Sequence, residues 1–365
     1  MDRPRRVAVV HSILHFGSTE NYLHELLERG ADRVEWSLVV PDDPVLEPLR
    51  TSPAVRGRVV ALPLAEYAKA PRAFLAVLRA LRRLDPDVVH VADVDPPALL
   101  AARALRRPTV VTHHTPELRP AYNAFGRLLR RVAWWTKPHV VFTSEFDRAT
   151  GIAREGVSPE RTSVIPLAID FDRFAERRGR GDLRRTLGLE PSQPLVGTVG
   201  LLRPQKAHEI LIDAAAEVDA AFVVVGDGPR RAALEELIRA RGLVDRVFLL
   251  GHRDDVPDVL AELDVFALSS DFEGMNLAVA EALAAGVPVV ATAVGGVRQT
   301  VIDGETGLLV PPRDPAALAG AIRRLLEDRE LARRLASAGG ERVRRLYALD
   351  TMVDATLSVY ERVAR

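Results

Sequence analysis

One stretch of the sequence concentrates groups that could do chemistry: Ser269-Ser-Asp-Phe-Glu-Gly-Met-Asn-Leu-Ala-Val-Ala-Glu-Ala-Leu-Ala-Ala-Gly-Val-Pro. An apolar run ends near Ser269, and a helix is predicted to begin around Asn276, whose side chain is a good N-cap. Gly286 and Pro288 stop it. From Leu277 to Val290 every residue is apolar or glycine except Glu281. A helix apolar all round is buried, and a lone carboxylate on it is costly unless something satisfies it. A structural ion pair would serve, and so would a ligand. Glu273 lies eight residues before Glu281. In a helical stretch the rise between them would be roughly 12 Å, about the reach of a sugar, a diphosphate and a ribose laid end to end. The amides of Met275, Asn276 and Leu277, together with Gly274, would form an anion site at the helix start. A carboxylate suits a vicinal diol, which assigns ribose hydroxyls to Glu281 and a sugar to Glu273.

A second group is Val199-Gly-Leu-Leu-Arg-Pro-Gln-Lys-Ala-His-Glu. The chain carries three lysines, Lys69, Lys137 and Lys206, against a large excess of arginine. Lys206 follows a strand-like run, where a point charge could meet a diphosphate, with Arg203 as a second cation. Elsewhere, His113 and His114 end an apolar run and Gly17 follows the first one. Asp93-Val-Asp95 has the spacing of a metal clamp, but it stands without another acidic cluster and reads as a loop. No essential metal is expected. Gly226-Asp-Gly-Pro does not complete a dinucleotide fingerprint and reads as a tight turn. Arg127, Arg130, Arg131, Trp134 and Trp135 would make 119–137 either a peripheral membrane contact or a packed helix with solvated arginines.

The elements that must position these groups alternate along the chain. Short valine-rich runs occur at Val7–Ile13, Trp36–Val40, Arg58–Leu62, Asp87–Val91, Thr109–Thr112, Val140–Ser144 and Ser163–Pro166. They resume at Leu195–Gly200, Ala221–Gly226, Arg246–Gly251, Asp264–Ser269, Pro288–Ala293 and Gly307–Val310. Helical patterns lie between, among them Arg72–Leu84, Glu209–Val218, Arg231–Ala240 and Ala316–Leu326. This alternation implies an α/β protein with parallel sheets. A break at Glu176–Arg180 divides it into two Rossmann-like domains, 1–180 and 181–349. The last helix, 350–365, would return to the first. Two such sheets would face a cleft between them.

The 365 residues carry 50 basic and 50 acidic side chains, which argues against nucleic-acid binding by bulk attraction. Cysteine is absent, excluding disulfides, thiolate zinc sites and a cysteine nucleophile. No apolar run reaches the roughly 20 residues of a bilayer span, and the N-terminal run is too short for a secretory signal. A cytoplasmic protein is expected, with a place at the inner face of the membrane if 119–137 binds lipid.

The Glu273-x7-Glu281 segment resembles that of family 4 of the retaining glycosyltransferases, enzymes of the two-domain B-type (GT-B) architecture. The likeness extends to Val224-Val-Gly-Asp-Gly-Pro, Leu250-Gly-His-Arg-Asp-Asp-Val, Asp264-Val-Phe-Ala-Leu-Ser-Ser, Gly286-Val-Pro-Val-Val-Ala-Thr and Gly304-Glu-Thr-Gly-Leu-Leu-Val-Pro-Pro. It is looser in the first half, at Asp87-Val-Val-His, Val110-Val-Thr-His-His, Thr143-Ser-Glu and Ile165-Pro-Leu-Ala-Ile-Asp. The chain departs from the family at Leu201, where an arginine is usual, at Ala207 for glycine and at Gln299 for glutamate. The resemblance implies retaining transfer of a sugar from a UDP- or GDP-linked donor to a hydroxyl acceptor, with no cofactor. The acceptor would be a glycan, a lipid-linked molecule or a small molecule. By this resemblance Lys206, Glu273 and His114 (or His113) act at the reacting sugar, and Arg253 lies near the base. A sugar-nucleotide epimerase of the same architecture and a non-catalytic binding module are the alternatives.

Overall fold

The computed structural model describes residues 4–11, 18–55, 57–63, 70–113, 131–174 and 182–365. Gly17, His114, the linker Glu176–Arg180 and all of 119–130 therefore lie outside the described residues. The chain divides into two compact units, Met1–Ala168 with Leu349–Arg365, and Ile169–Ala348.

The first unit holds a seven-stranded sheet of β1 (Arg5–Val10), β2 (Val34–Pro41), β3 (Val59–Leu62), β4 (Val88–Val91), β5 (Thr109–His113), β6 (His139–Phe142) and β7 (Thr162–Val164). Their order is β3-β2-β1-β4-β5-β6-β7, and every pairing is parallel. The second unit holds β8 (Leu195–Val199), β9 (Ala221–Val225), β10 (Val247–Gly251), β11 (Val265–Leu268), β12 (Val289–Thr292) and β13 (Leu308–Val310). These are also all parallel, in the order β10-β9-β8-β11-β12-β13. Each of the thirteen apolar runs of the sequence overlaps one of these strands, with ends that differ by up to three residues. The central ones, such as β4, β9, β11 and β12, are buried at every residue, as strands covered on both faces must be.

The division falls at Ala168/Ile169, ahead of the arginine-rich segment that composition singled out. Its cause is packing: Ile169 bridges to Ala348, and Ile169 and Phe174 join the apolar core of the second unit. The last helix, Leu349–Val363, belongs to the first unit. Tyr360 on it is fully buried, edge-on to Trp36 at 6.2 Å, and its hydroxyl meets His90 Nδ1 at 2.7 Å. Arg29 and Arg33 hold the same helix through Asp350 and Asp354.

One long helix, Arg329–Leu346, escaped the sequence reading. It is highly charged and carries Gly339-Gly340 in its interior, which opposes a helix by roughly 1 kcal/mol per glycine. Those glycines allow close packing. A Cβ on Gly339 would lie 2.5 Å from Leu283 Cδ2 and 2.8 Å from the Thr306 carbonyl oxygen. The helix therefore lies directly against Leu277–Ala284, the helix that carries Glu281. Among the described residues, no helix is long and apolar enough to cross a membrane.

Candidate functional site

The second unit gathers its polar groups at the carboxyl ends of β8, β11 and β12. Helix Leu277–Ala284 follows β11 through a short loop, and Asn276 caps it, its side chain accepting from the Val279 N–H at 3.0 Å. The amides of Gly274, Asn276 and Leu277 donate to no acceptor among the described residues. They stand at the positive end of the helix dipole. Glu273 is buried ahead of them. Its Oε1 accepts from Lys206 Nζ at 2.7 Å and from Ser270 Oγ at 2.6 Å. Its Oε2 has no partner among the described residues. The side chain of Lys206 is 18% exposed and that of Glu273 6%, so the ammonium is the member of the pair that an incoming anion reaches.

Lys206 ends a 3₁₀ turn, Pro204–Lys206, after β8. Ala207 then takes the left-handed conformation, φ 45° and ψ 44°, and helix His208–Ala215 begins. That conformation is easiest for glycine, which accounts for the family's choice at this position. The Lys206 stem lies over Gly200, where a Cβ would meet Lys206 Cε at 3.4 Å. The turn Gly226-Asp-Gly-Pro braces this loop from beneath. A Cβ on Gly226 would lie 2.1 Å from the Gly200 carbonyl oxygen, and the Leu202 N–H donates to Asp227 O at 3.0 Å. Ser269 Oγ donates to the Lys206 carbonyl at 3.0 Å, and the Gly296 N–H donates to the Glu273 carbonyl at 3.2 Å. His208, buried next to the lysine, is held neutral: burial first, then the charges of Lys206 and Arg230, push its imidazole down to about 4.

Glu281 is half-buried on the helix, with no hydrogen-bond or ion-pair partner for its carboxylate among the described residues. Burial pushes it up to about 7, and the opposing pull of Arg173 is smaller. A carboxylate in that state has acceptor capacity to spare.

The structure thus joins Lys206 and Glu273 directly and sets Gly274, Met275, Asn276, Leu277 and Glu281 on the same loop and helix. It does not tie Arg203 or Arg253 to them. Arg203 is exposed ahead of the 3₁₀ turn. Arg253 makes a two-pronged pair with Asp255 instead, which raises its pKa. Ser270 was missed as a partner of Glu273; its signal was a serine at the buried end of a strand. Arg173 was missed because it comes from a turn far away in sequence.

In the first unit, His113 is fully buried at the end of β5. It lies 3.3 Å from Glu155 and 3.6 Å from Asp93, with the rings of Trp134 and Phe142 tilted against its own. It is a core histidine; His114 lies outside the described residues. His90 is likewise interior, bonded to Thr112 and Tyr360. Asp95 caps helix Pro96–Ala104, and Asp93 accepts from the Val94 N–H, which gives both aspartates of the Asp-x-Asp pattern a backbone role. Of the tryptophan pair, Trp134 turns inward, and Trp135 is exposed beneath Arg103.

Comparison with known proteins agrees with this geometry. Residues 180–342 match the family model described as glycosyl transferases group 1, and residues 19–173 match that of glycosyltransferase family 4. An alpha-D-kanosaminyltransferase of Streptomyces kanamyceticus is 32% identical over 72% of this chain and 73% of its own length. A 2-deoxystreptamine N-acetyl-D-glucosaminyltransferase of Streptomyces fradiae is 32% identical over 90% of this chain and 86% of its own. Among solved structures, HepE of Anabaena in complex with UDP-glucose superposes with a TM-score of 0.81 at 25% identity, covering 97% of this chain and all of that one.

Proposed function

The chain belongs to the group 1 glycosyltransferases, and from that premise we propose that it moves a hexosyl group from a nucleotide diphosphate sugar to a hydroxyl acceptor, with retention and without a metal ion. The bond from the anomeric carbon to the diphosphate oxygen breaks, and a bond to the acceptor oxygen forms on the same face. The acceptor's proton passes to the departing phosphate oxygen, so the products are a nucleoside diphosphate and a glycoside. As the first bond breaks, negative charge grows on the diphosphate. Lys206 and the open amides at the start of helix Leu277–Ala284 would stabilise it, and stabilising a charge that develops in the transition state raises the rate. Glu273, itself bonded by Ser270, holds the ammonium in place before the donor arrives. Glu273 Oε2 would accept from sugar hydroxyls, and the Glu281 carboxylate from the ribose diol.

The observation that carries this reading is the part-buried Lys206–Glu273–Ser270 cluster beside helix-start amides that donate to no acceptor among the described residues. UDP-glucose in the HepE structure supports a nucleotide-sugar donor. The kanosaminyl and 2-deoxystreptamine relatives make amino sugars and aminocyclitols the first donors and acceptors to try. A cytoplasmic place of action belongs to the same reading.

The test is turnover with UDP- and GDP-linked sugars, alone and with an acceptor panel. Transfer should release nucleoside diphosphate together with an α-glycoside from an α-linked donor, at a rate insensitive to EDTA. An inverted product would remove the retaining mechanism. Loss of turnover in EDTA, restored by a divalent ion, would remove the metal-free one. An altered donor sugar with nothing transferred would indicate an epimerase.

A further inference from the structure

The first unit carries a cavity of about 710 Å³ at the opposite end of its sheet from His113. It opens among the loops that lead into β5, β6 and β7, with Thr109, His139 and Thr162, the first residues of those strands, in its wall. Its volume is in the range of small-molecule sites. The lining includes Arg103, Arg106, Arg107, Lys137, Arg161 and Arg362. Arg107 pairs with Asp85; the other five have no carboxylate partner among the described residues. Arg161 donates to the Lys137 carbonyl and Arg362 to Ser163 Oγ, both at 3.3 Å.

Helix ends explain part of this charge. Pro96–Ala104, the helix over 131–135 and Leu349–Val363 all terminate here, each with a partial charge of roughly −0.5. Six cations set against Glu160, Asp85 and those dipoles leave a surplus of roughly 2.5 positive charges. Arg106 and Lys137 both have φ 54°, the left-handed conformation in which a side chain is strained and glycine or asparagine is the easier choice. The chain puts cations at both positions, and Lys137 is one of its three lysines. His139 reports the resulting field. Burial, then Arg362 and Arg161, push its imidazole down to about 4.

We propose that this cavity binds a phosphate group, carried by a phosphorylated small molecule or by a phospholipid head, at a place separate from the donor site of the second unit. Clustered guanidinium groups and one ammonium match phosphate oxygens, and Trp135, 65% exposed beneath Arg103, flanks the pocket.

Inorganic pyrophosphate, titrated calorimetrically, and vesicles of phosphatidylglycerol in phosphatidylcholine, tested by sedimentation, separate the two sources. The variants are Arg106→Gly combined with Lys137→Gly. Each removes a cation where glycine relieves backbone strain, so the fold is retained. Arg333→Gln combined with Arg334→Gln, two exposed arginines of the second unit, is the charge-matched control. The double variant should weaken whichever probe binds by about tenfold or more, and the control by less than about twofold. If pyrophosphate is the probe that binds, it should also raise the titration midpoint of the His139 C2 proton, since an anion favours imidazolium. Binding of pyrophosphate identifies a soluble ligand, and binding of vesicles alone a lipid head. Failure of both probes to bind, or equal loss in the double variant and the control, would overturn the proposal.

Discussion

Replacing Glu281 with glutamine should make the protein more stable and its nucleotide binding weaker. The Glu281 carboxylate is half-buried, with no hydrogen-bond or ion-pair partner among the described residues, and burial outweighs the pull of Arg173 and lifts it to about 7 from an ordinary value of 4.5. The folded state therefore binds more protons than the unfolded state between those two values. Its stabilising contribution is complete below about 4.5 and lost as the pH rises through 7. A shift of that size caps the penalty at roughly 3 kcal/mol at high pH, and solvent at the half-buried group reduces the expected value to about 1–2 kcal/mol. Glu281→Gln removes this penalty. The variant should equal wild type in unfolding free energy near pH 4.5 and exceed it by about 1–2 kcal/mol at pH 8.5. Contributions from histidines cancel in the difference. On the binding side, a carboxylate accepting two ribose hydroxyls makes charge-assisted bonds of about 1.5–3 kcal/mol each. An amide keeps one weaker acceptor, so the loss should be about 2–3 kcal/mol, a factor of roughly 30 to 150 in Kd. Urea unfolding at the two pH values and calorimetry with free nucleoside diphosphates measure both halves. Unchanged affinity would refute the ribose assignment. A variant no more stable than wild type at pH 8.5 would refute the claim that burial outweighs the pull of Arg173 on the carboxylate.

Lys206→Ala should lower kcat by about 10²–10³-fold with a smaller change in KM, because the ammonium acts on charge that develops as the bond breaks; a near-normal kcat would exclude it from the mechanism. Ser270→Ala should lower kcat less, by up to about tenfold, through a looser Glu273, and steady-state kinetics on the same donor give the comparison. Gly339→Ala places a methyl group 2.5 Å from Leu283 Cδ2 and 2.8 Å from a backbone oxygen, and should cost about 1–3 kcal/mol in urea unfolding. Acid should destabilise the protein: His208 and His139 both sit near 4 when folded, so the unfolded chain takes up protons first. Their contribution is intact above about 6.5 and falls as the pH drops towards 4, which unfolding curves of Glu281→Gln across that window would show without the opposing effect of the carboxylate.

Much of this architecture can be read from the sequence because buried parallel strands write themselves as unbroken valine-rich runs. The caps at Asn276 and Gly286 are equally legible, since each is a local choice of side chain or backbone. What the sequence hides is pairwise and long-range. The Arg329–Leu346 helix looks unfavourable until Leu283 is seen to fill the space its glycines leave. The bond between Lys206 and Glu273 spans two strand ends, and only the sheet order β8-β11 brings them together. His113 and His114 are indistinguishable as letters, yet burial assigns His113 to the core with Glu155. The packing division at Ala168/Ile169 differs from the compositional one for a similar reason. Composition marks the polar stretch, whereas packing assigns Ile169 and Phe174 to the unit they touch.

The most direct measurement is a crystal structure of the protein with an intact nucleotide diphosphate sugar. The account predicts phosphate oxygens within hydrogen-bonding distance of Lys206 Nζ and the Asn276 and Leu277 amides, ribose hydroxyls on Glu281, and the sugar against Glu273. A well-ordered nucleotide bound elsewhere, with those groups untouched, would contradict it.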